Sequence, residues 1–143
     1  MLKLILAVAL LAGLGAQTQA PASRYAERQT WDYRTRPGDE GSMLKIQRIE
    51  PWPGAPAGEN RLVYHISLIG VRFGPRRTPT ELQHLPVSQA SLDASVTRLN
   101  DTMAHFPEPD EGIAAWREAR GGVFTIPVAE IVDVVEQAMG QPR

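Results

Sequence analysis

The sequence predicts an α+β fold in which a small antiparallel or mixed sheet of three to four strands carries about three helices on one face. Apolar residues recur at every second position over 43–50, until Ile49 breaks the alternation, and over 61–69, which is the period of a strand. Apolar residues recur at helical spacing over 88–103 and over 127–139. Stretches rich in proline and glycine separate these segments, as expected for elements of one layered domain.

The strand predictions centre on residues 61–69, which should form a hairpin with 43–50 through a proline-rich connection. One face of this strand is expected to carry Leu62, Tyr64, Ile66 and Leu68, and the other face Val63, His65, Ser67 and Ile69. Shorter strands are predicted at 31–35, at an edge of the sheet, and at 123–126. Residues 74–86 are predicted to form a loop.

Three helices are predicted in the C-terminal half. The first covers 88–103 with Ser88 as its N-cap. Its apolar stripe is formed by Leu92, Val96, Leu99 and Met103. The second covers 110–120, with Asp110 as a capping residue and two glycines after it. The third begins at Pro127, because proline suits the first turn of a helix, and ends at residue 140.

Residues 1–22 have the three-part layout of a secretory signal peptide. Lys3 supplies a positive start, 4–14 is an uncharged apolar run, and Ala20 and Ala22 provide small residues for cleavage. The run is too short to span a bilayer, which needs about 20 apolar residues. Cleavage after Ala22 would leave a chain that starts at Ser23, outside the cytoplasm and without a membrane anchor.

The composition limits the location and the class of partner. The chain has no cysteine, so it lacks disulfides, a thiol nucleophile and the lipid-attachment residue of bacterial lipoproteins. Thirteen arginines against two lysines favour a GC-rich bacterial genome, which makes the periplasm the expected location. Removing Lys3 leaves 14 basic and 16 acidic residues, a balance that does not predict nucleic-acid binding. The remainder divides into a polar segment, 23–42, and a single α+β domain, 43–140.

No catalytic, cofactor or metal motif is present, so no residue is predicted for those roles. A G-x-S-x-G elbow, an H-E-x-x-H pair and a phosphate-binding glycine loop are all absent from the sequence. His65, His84 and His105 lack the short paired spacing of a recognisable metal site. His65 and Ser67 share a strand face and form a candidate polar site, since histidine can activate a serine hydroxyl. The alternative is that the strand period alone brings them together.

Five residues are predicted to be exposed contacts with a protein partner. They are Trp31, Tyr33, Trp52, Arg76 and Arg77. Aromatic and arginine side chains on exposed segments commonly dominate protein interfaces. The alternative for the aromatic residues is that they close the open side of a small sheet, and for the arginines that they belong to a solvated loop. Trp116 lies on an apolar helix stripe and is predicted to be core.

These features predict an exported binding or interaction module. Its partner would be another envelope or secreted protein, as for an inhibitor, an immunity-type protein or an accessory subunit of an envelope complex. One alternative is a small hydrolase that pairs His65 with a carboxylate such as Asp32 or Glu50. A second alternative is a small-molecule carrier. Its pocket would be lined by Leu62, Ile66, Leu92 and Val96.

Overall fold

The structure, a computed structural model, describes residues 24–58 and 61–140 and shows an α+β protein. Its strands are β1 (Thr30–Tyr33), β2 (Met43–Pro51), β3 (Leu62–Phe73), β4 (Thr78–Val87) and β5 (Val96–Leu99). Its helices are α1 (Gln89–Asp93), α2 (Asp110–Glu118) and α3 (Val128–Gly140). The predicted signal peptide, 1–22, lies outside the described residues. Within the described part, no helix is long and apolar enough to cross a membrane.

The sheet has five strands in the order β4-β3-β2-β1-β5, and every neighbouring pair of strands is antiparallel. The predicted hairpin of β2 and β3 is confirmed, with Met43 opposite Ile69 and Pro51 opposite Leu62. The predicted count of three to four strands is wrong, because 78–87 is a strand and not a loop and 96–99 is also a strand, while 123–126 is not. The two prolines of β4 are tolerated because it is an edge strand, where one side has no pairing neighbour in the sheet.

The second error concerns residues 88–103, predicted as one helix. Ser88 is the N-cap as predicted and accepts from the backbone N–H of Ser91, but α1 ends after five residues. The hydroxyl of Ser95 donates to the carbonyl of Ser91 and accepts from the N–H of Val128. This competition with the helix ladder, followed by the β-branched Val96, favours the change to an extended strand. The helical spacing of the apolar residues was therefore misleading.

Helices lie against both faces of the sheet. The main core contains Tyr64 and Ile66 of β3 together with Leu92 of α1 and Val128 of α3. His65 points to the opposite face, where its ring contacts Trp116 of α2 at a centroid distance of 4.8 Å. The contacts therefore place α2 apart from α1 and α3, in contrast to the predicted single covered face.

Residues 24–42 contribute to the same sheet and core. β1 lies between β2 and β5, so it is an internal strand and not the predicted edge. Trp31 and Tyr33 are only 4% and 6% exposed, because their side chains fill the core beside β2. The hydroxyl of Tyr33 forms a hydrogen bond with Ser42 (2.6 Å), and burial raises the pKa of Tyr33 to about 12. The prediction that these two aromatic residues are exposed is wrong.

Two further predictions near the C-terminus need correction. Residues 123–126 do not form a strand; Phe124 makes a single parallel bridge to Val87 at the free edge of β4. The N-cap of α2 is Pro109 and no side chain caps it, so Asp110 lies within the first turn. The prediction for α3 is confirmed in position, with Pro127 directly before it and Gly140 at its end.

A buried carboxylate holds together the turn end of the β3–β4 hairpin. Asp39 is 1% exposed and accepts from Nε of Arg36 at 2.7 Å, from the backbone N–H of Arg72 at 2.9 Å and from Arg77 at 3.3 Å. Each of these donors comes from a different segment. The carboxylate therefore ties the loop after β1 to the ends of β3 and β4.

The same arginine links this cluster to α3. The guanidinium of Arg36 donates to Asp133 at 3.0 Å, to Glu136 at 2.9 Å and to the carbonyl of Arg72 at 3.0 Å. It also lies over the ring of Phe73, 5.6 Å from the centroid. Loss of the Asp39 carboxylate would leave this largely buried cation without its closest anion.

Asp39→Ala should therefore lower the free energy of unfolding by about 3–5 kcal/mol, the usual cost of breaking a buried ion pair from one side. The control is Asp32→Asn, since Asp32 pairs with the exposed Arg98. That surface change should cost less than about 1 kcal/mol. Urea unfolding followed by circular dichroism measures both values. Equal losses in the two variants would contradict the role assigned to Asp39.

Candidate functional site

An open cleft of about 450 Å³ lies where β2 ends and β3 begins. Its apolar wall consists of Trp52, from the loop after β2, and Trp116, from α2, with Pro53 beside them. Arg117 and Arg120 line the same cleft. Both indoles are half-buried, so each presents part of its ring to the cleft while the rest packs on the protein. The cleft thus combines aromatic surface with two cations.

Two successive glycines fix the orientation of the two indoles. The N–H of Trp116 donates to the carbonyl of Gly122 at 2.8 Å, and that of Trp52 donates to the carbonyl of Gly121 at 3.3 Å. A Cβ at Gly121 would overlap Cδ1 of Trp116, and one at Gly54 would lie 2.9 Å from the ring of Trp52. The absence of side chains at these glycines therefore allows the indoles to lie against the backbone.

Arg120 holds an unusual backbone position at the end of α2. The N–H of Gly121 donates to the carbonyl of Trp116 and the N–H of Arg120 to that of Arg117, which is the hydrogen-bond pattern of a Schellman motif. In this motif the left-handed position normally holds glycine, but here it holds Arg120 with a φ of 50°. An L side chain in that conformation costs about 1–2 kcal/mol relative to glycine.

Behind the cleft, a chain of polar side chains runs into the sheet. Arg117 donates to Glu50 at 2.6 and 3.3 Å through its NH2 and Nε groups. The other contact of Glu50 is with Nε2 of His65, 2.7 Å away. Nδ1 of His65 lies 2.7 Å from Nε2 of His84, and the two imidazoles stack. A surface cation is thus connected to a histidine that is 0% exposed.

The local electrostatics set the protonation of this chain. Burial alone would raise the pKa of Glu50, but hydrogen bonds from Arg117 and His65 outweigh it and lower that pKa. Burial lowers the pKa of His65 despite the opposing bond to Glu50. Burial, together with the charge of His65, lowers the pKa of His84 to about 4. The carboxylate is therefore ionised and both imidazoles are neutral at pH 7.

This protonation state gives each hydrogen bond a direction. An ionised Glu50 only accepts, so His65 donates its Nε2–H to the carboxylate and uses Nδ1 as an acceptor. His84 then donates its Nε2–H to His65. The chain satisfies both ring nitrogens of a fully buried histidine and holds Glu50 against Arg117, at the cleft.

The predicted pairing of His65 with Ser67 is not present. The hydroxyl of Ser67 donates to the carbonyl of Gln83 at 2.6 Å and accepts from Gln47 at 3.1 Å. His65 does meet a carboxylate, Glu50, as the hydrolase alternative required, but the ring lies out of reach of solvent. Among the described residues, no hydroxyl group is hydrogen-bonded to either imidazole. The geometry therefore supplies an orienting pair without a nucleophile.

The three histidines do not converge on a metal site. His65 and His84 are neighbours, but His105 is exposed in the segment between β5 and α2. Within residues 24–58 and 61–140, no group of three potential ligands is arranged to hold a metal ion. The imidazoles of His65 and His84 bond to each other and form part of the hydrogen-bond chain behind the cleft.

The predicted partner contacts fall in three different places. Trp52 lines the cleft, whereas Trp31 and Tyr33 lie in the core. Arg76 and Arg77 are exposed in the turn between β3 and β4, at the opposite end of the long hairpin from Trp52. Arg77 also binds Asp39, which gives it a structural contact. A single surface made of all five residues does not exist.

Sequence reasoning missed Trp116, Arg120 and His84 as parts of the site. Trp116 was assigned to the core from its helical stripe, yet it is half-buried and faces Trp52 across the cleft. His84 was placed in a loop, and only its pairing in β4 brings it beside β3. The sequence did contain one signal for the site, the pair Gly121-Gly122 after Arg120. Two successive glycines let other side chains lie directly against the backbone.

Replacement of His84 by glutamine should weaken the dependence of stability on pH between about 6.5 and 4. The unfolded chain binds a proton at a histidine near pH 6.5, whereas folded His84 binds one only near pH 4, so the unfolded state gains protons first as the pH falls. His84 should thereby remove up to about 3 kcal/mol of stability across this window. Urea midpoints at pH 7 and pH 4.5 measure the difference.

His105→Gln is the matched control, because that imidazole is exposed. It should retain the pH dependence of the unmodified protein. An unchanged pH dependence in His84→Gln would show that His84 is already protonated near its ordinary pKa in the folded protein.

Comparison with known proteins does not assign a family. No protein-family model, curated protein or solved structure matches this chain. Its function is therefore inferred from the chemistry of the cleft and of the polar chain behind it.

Proposed function

We propose that this protein is an exported binding module that recognises a protein partner through the Trp52–Trp116 cleft. The observation that carries the proposal is the pair of indoles fixed on the Gly121–Gly122 backbone around an open apolar space of about 450 Å³. A space of this size is within the usual range for recognition pockets. It suits one large apolar side chain of a partner.

The composition of the cleft supports a protein partner. Tryptophan and arginine are the residues that most often dominate the energy of protein interfaces, especially in desolvated pockets. Here two of each lie together. The indole N–H groups are already bonded to backbone carbonyls, so the rings enter an interface without polar groups left unpaired. They also lose little conformational freedom, since their orientations are fixed beforehand.

The alternative of a small-molecule carrier receives less support from the packing. Ile66, Leu92 and Val96 were expected to line its pocket, but they are 0%, 0% and 4% exposed within the main core. Leu62 lies at the surface, 37% exposed, and is not part of that core. The cleft between the tryptophans, by contrast, joins apolar walls to charged groups.

The hydrolase alternative receives partial support from the contact between Glu50 and His65. That contact also has a structural explanation, since Glu50 anchors Arg117 at the wall of the cleft. Hydrolysis would require His65 to reach a protein nucleophile or a water molecule, and that ring is 0% exposed. We therefore favour binding.

Export is the second part of the proposal, and it rests on the apolar run 4–14 and the small residues Ala20 and Ala22. Every strand and helix described here lies after residue 22, so cleavage at that point would retain all of them. A cysteine-free fold is also compatible with an oxidising compartment, because it cannot form wrong disulfides there. The partner would be an envelope or secreted protein.

Binding to the cleft can be tested with a pair of glycine variants. Gly121→Ala should weaken binding of the probe peptide acetyl-Gly-Phe-Gly-amide about tenfold or more, because the new methyl group displaces Trp116. Gly122→Ala is the matched control, since its Cβ would meet nothing within 4 Å. Titration of the indole N–H signals by nuclear magnetic resonance measures the affinity.

The signals of Trp52 and Trp116 should move, while that of the buried Trp31 serves as an internal reference. Trp52→Ala removes the other aromatic side chain of the cleft and leaves the backbone at Gly121 unchanged, so it should weaken binding independently of Gly121→Ala. A probe that binds Gly121→Ala and Trp52→Ala as tightly as the unmodified protein would refute the assignment of the cleft.

Export can be tested by expression of the full chain in a Gram-negative bacterium. Mass spectrometry of the periplasmic extract should find a product that begins at Ser23, because Ala20 and Ala22 provide the small residues for cleavage. The double variant Ala20→Lys, Ala22→Lys should accumulate as the uncleaved chain. Recovery of the unmodified protein from the cytosol with Met1 retained would overturn the export proposal.

A further inference from the structure

The charge of Arg120 is not balanced by a neighbouring acid in the described part of the chain. Its side chain is exposed, and no ion pair or hydrogen bond of its guanidinium occurs with a described residue. Arg117, the other cation of the cleft, is bound by Glu50. The net positive charge at the cleft therefore belongs to Arg120, directly beside the aromatic wall.

Arg120 also adopts a backbone conformation that is unfavourable for a residue with a side chain. It holds the left-handed position of a Schellman motif, which glycine usually occupies, and two glycines follow it directly. Arg77 has a similar backbone, with a φ of 51°, but its guanidinium binds the buried Asp39. The contact that would explain Arg77 is thus missing for Arg120. Arg28 also has a positive φ, 73°, without a side-chain ion pair or hydrogen bond to a described residue, so strain alone does not identify a ligand site. Arg120 differs because it lies beside the two indoles of the cleft, and this combination points to an external ligand.

The walls of the cleft restrict what that ligand presents. The N–H groups of Trp52 and Trp116 are directed at backbone carbonyls, so the exposed ring surfaces offer apolar contact and attraction to the positive edge of another ring. Ring faces also attract cations, but Arg117 and Arg120 in the same cleft repel a cationic ligand group. Arg120 lines the same space of about 450 Å³. An aromatic group and an anion that occupy this cleft together must therefore be close neighbours in the ligand.

We propose that the cleft binds an acidic segment of the partner in which an aromatic residue is adjacent to aspartate or glutamate. The aromatic side chain lies between Trp52 and Trp116, and the carboxylate accepts hydrogen bonds from Arg120. Arg117 remains paired with Glu50 and closes the side of the cleft toward the sheet. This assignment rests on the proposed binding function and specifies its partner.

The test compares three probe peptides with the purified protein. They are acetyl-Gly-Phe-Asp-Gly-amide, its neutral counterpart acetyl-Gly-Phe-Asn-Gly-amide, and acetyl-Gly-Ala-Asp-Gly-amide. Calorimetry or indole N–H shifts should show that the Phe-Asp peptide binds about tenfold more tightly than the Phe-Asn peptide, as expected for a charge-assisted contact. The Ala-Asp peptide should bind most weakly. The preference for Asp over Asn should decrease as salt is added.

Arg120→Gly separates the ligand role from the structural role. This variant should lose the preference for Phe-Asp over Phe-Asn, while its urea midpoint should rise because glycine suits the left-handed position. Arg76→Ala, at the opposite end of the β3–β4 hairpin, is the control and should keep the preference. A midpoint that falls in Arg120→Gly would contradict the claim that Arg120 is retained for a ligand.

The possible failures are distinguishable. Equal binding of Phe-Asp and Phe-Asn would overturn the acidic segment and leave the binding function of the cleft in place. Absence of binding by all three peptides would refute both proposals. Tighter binding of a peptide that ends in a free phenylalanine carboxylate than of the Phe-Asp peptide would also overturn the proposal, because it would assign the site to chain termini.

Discussion

Two indole N–H groups, those of Trp52 and Trp116, donate to successive carbonyls of Gly121 and Gly122, and the shape of the cleft depends on this pair of bonds. Each indole would otherwise need a partner elsewhere or would expose its polar edge to the cleft. Because the loop after β2 and the end of α2 meet at the same dipeptide, the orientations of both rings are set by one short piece of backbone. The site is therefore organised by backbone at least as much as by side chains.

Glu50 extends this organisation into the sheet. Its carboxylate lies at the end of β2 and is shared by Arg117 of α2 and His65 of β3. His84 of β4 completes the series, so three strands or helices outside β2 are fixed relative to one carboxylate. Neutral imidazoles suit this purpose because they both donate and accept, which allows a buried chain of hydrogen bonds without buried positive charge. The cost is sensitivity to acid.

The sequence predicted secondary structure correctly where the spacing of apolar residues fitted one type of element and nearby residues did not oppose it. Residues 61–69 carry apolar side chains at every second position from Leu62 to Leu68, and the hairpin of β2 and β3 agrees with that pattern. Residues 78–87 contain two prolines and few apolar residues, so their position at an edge had to be known before a strand was plausible. Residues 92–99 satisfied a helical spacing by chance, since one of the two hydrogen bonds of the Ser95 hydroxyl is with Val128, far along the chain.

The site was harder to predict than the fold because its members meet through long-range contacts. His65 was recognised as polar in an apolar strand, and Glu50 was one of two carboxylates considered for it. His84 could join them only after β4 was known to pair with β3. Trp116 was correctly placed on a helix but wrongly placed in the core. Helical spacing shows which side chains share a face, but not whether another element covers all of that face. Local sequence patterns therefore identified candidate residues, but only the pairing of the strands and the packing of the helices showed which of them come together.

The position of β1 has a consequence for the order in which the protein assembles. β1 is synthesised before the other strands of this sheet, yet one of its two neighbours is β5, so its ladder stays incomplete until residue 99 has emerged. Closing so long a loop is slow, and until then Trp31 and Tyr33 lack part of the cover they have in the finished core. A nascent chain shorter than this would present both aromatic residues to any holding chaperone, which would delay compaction.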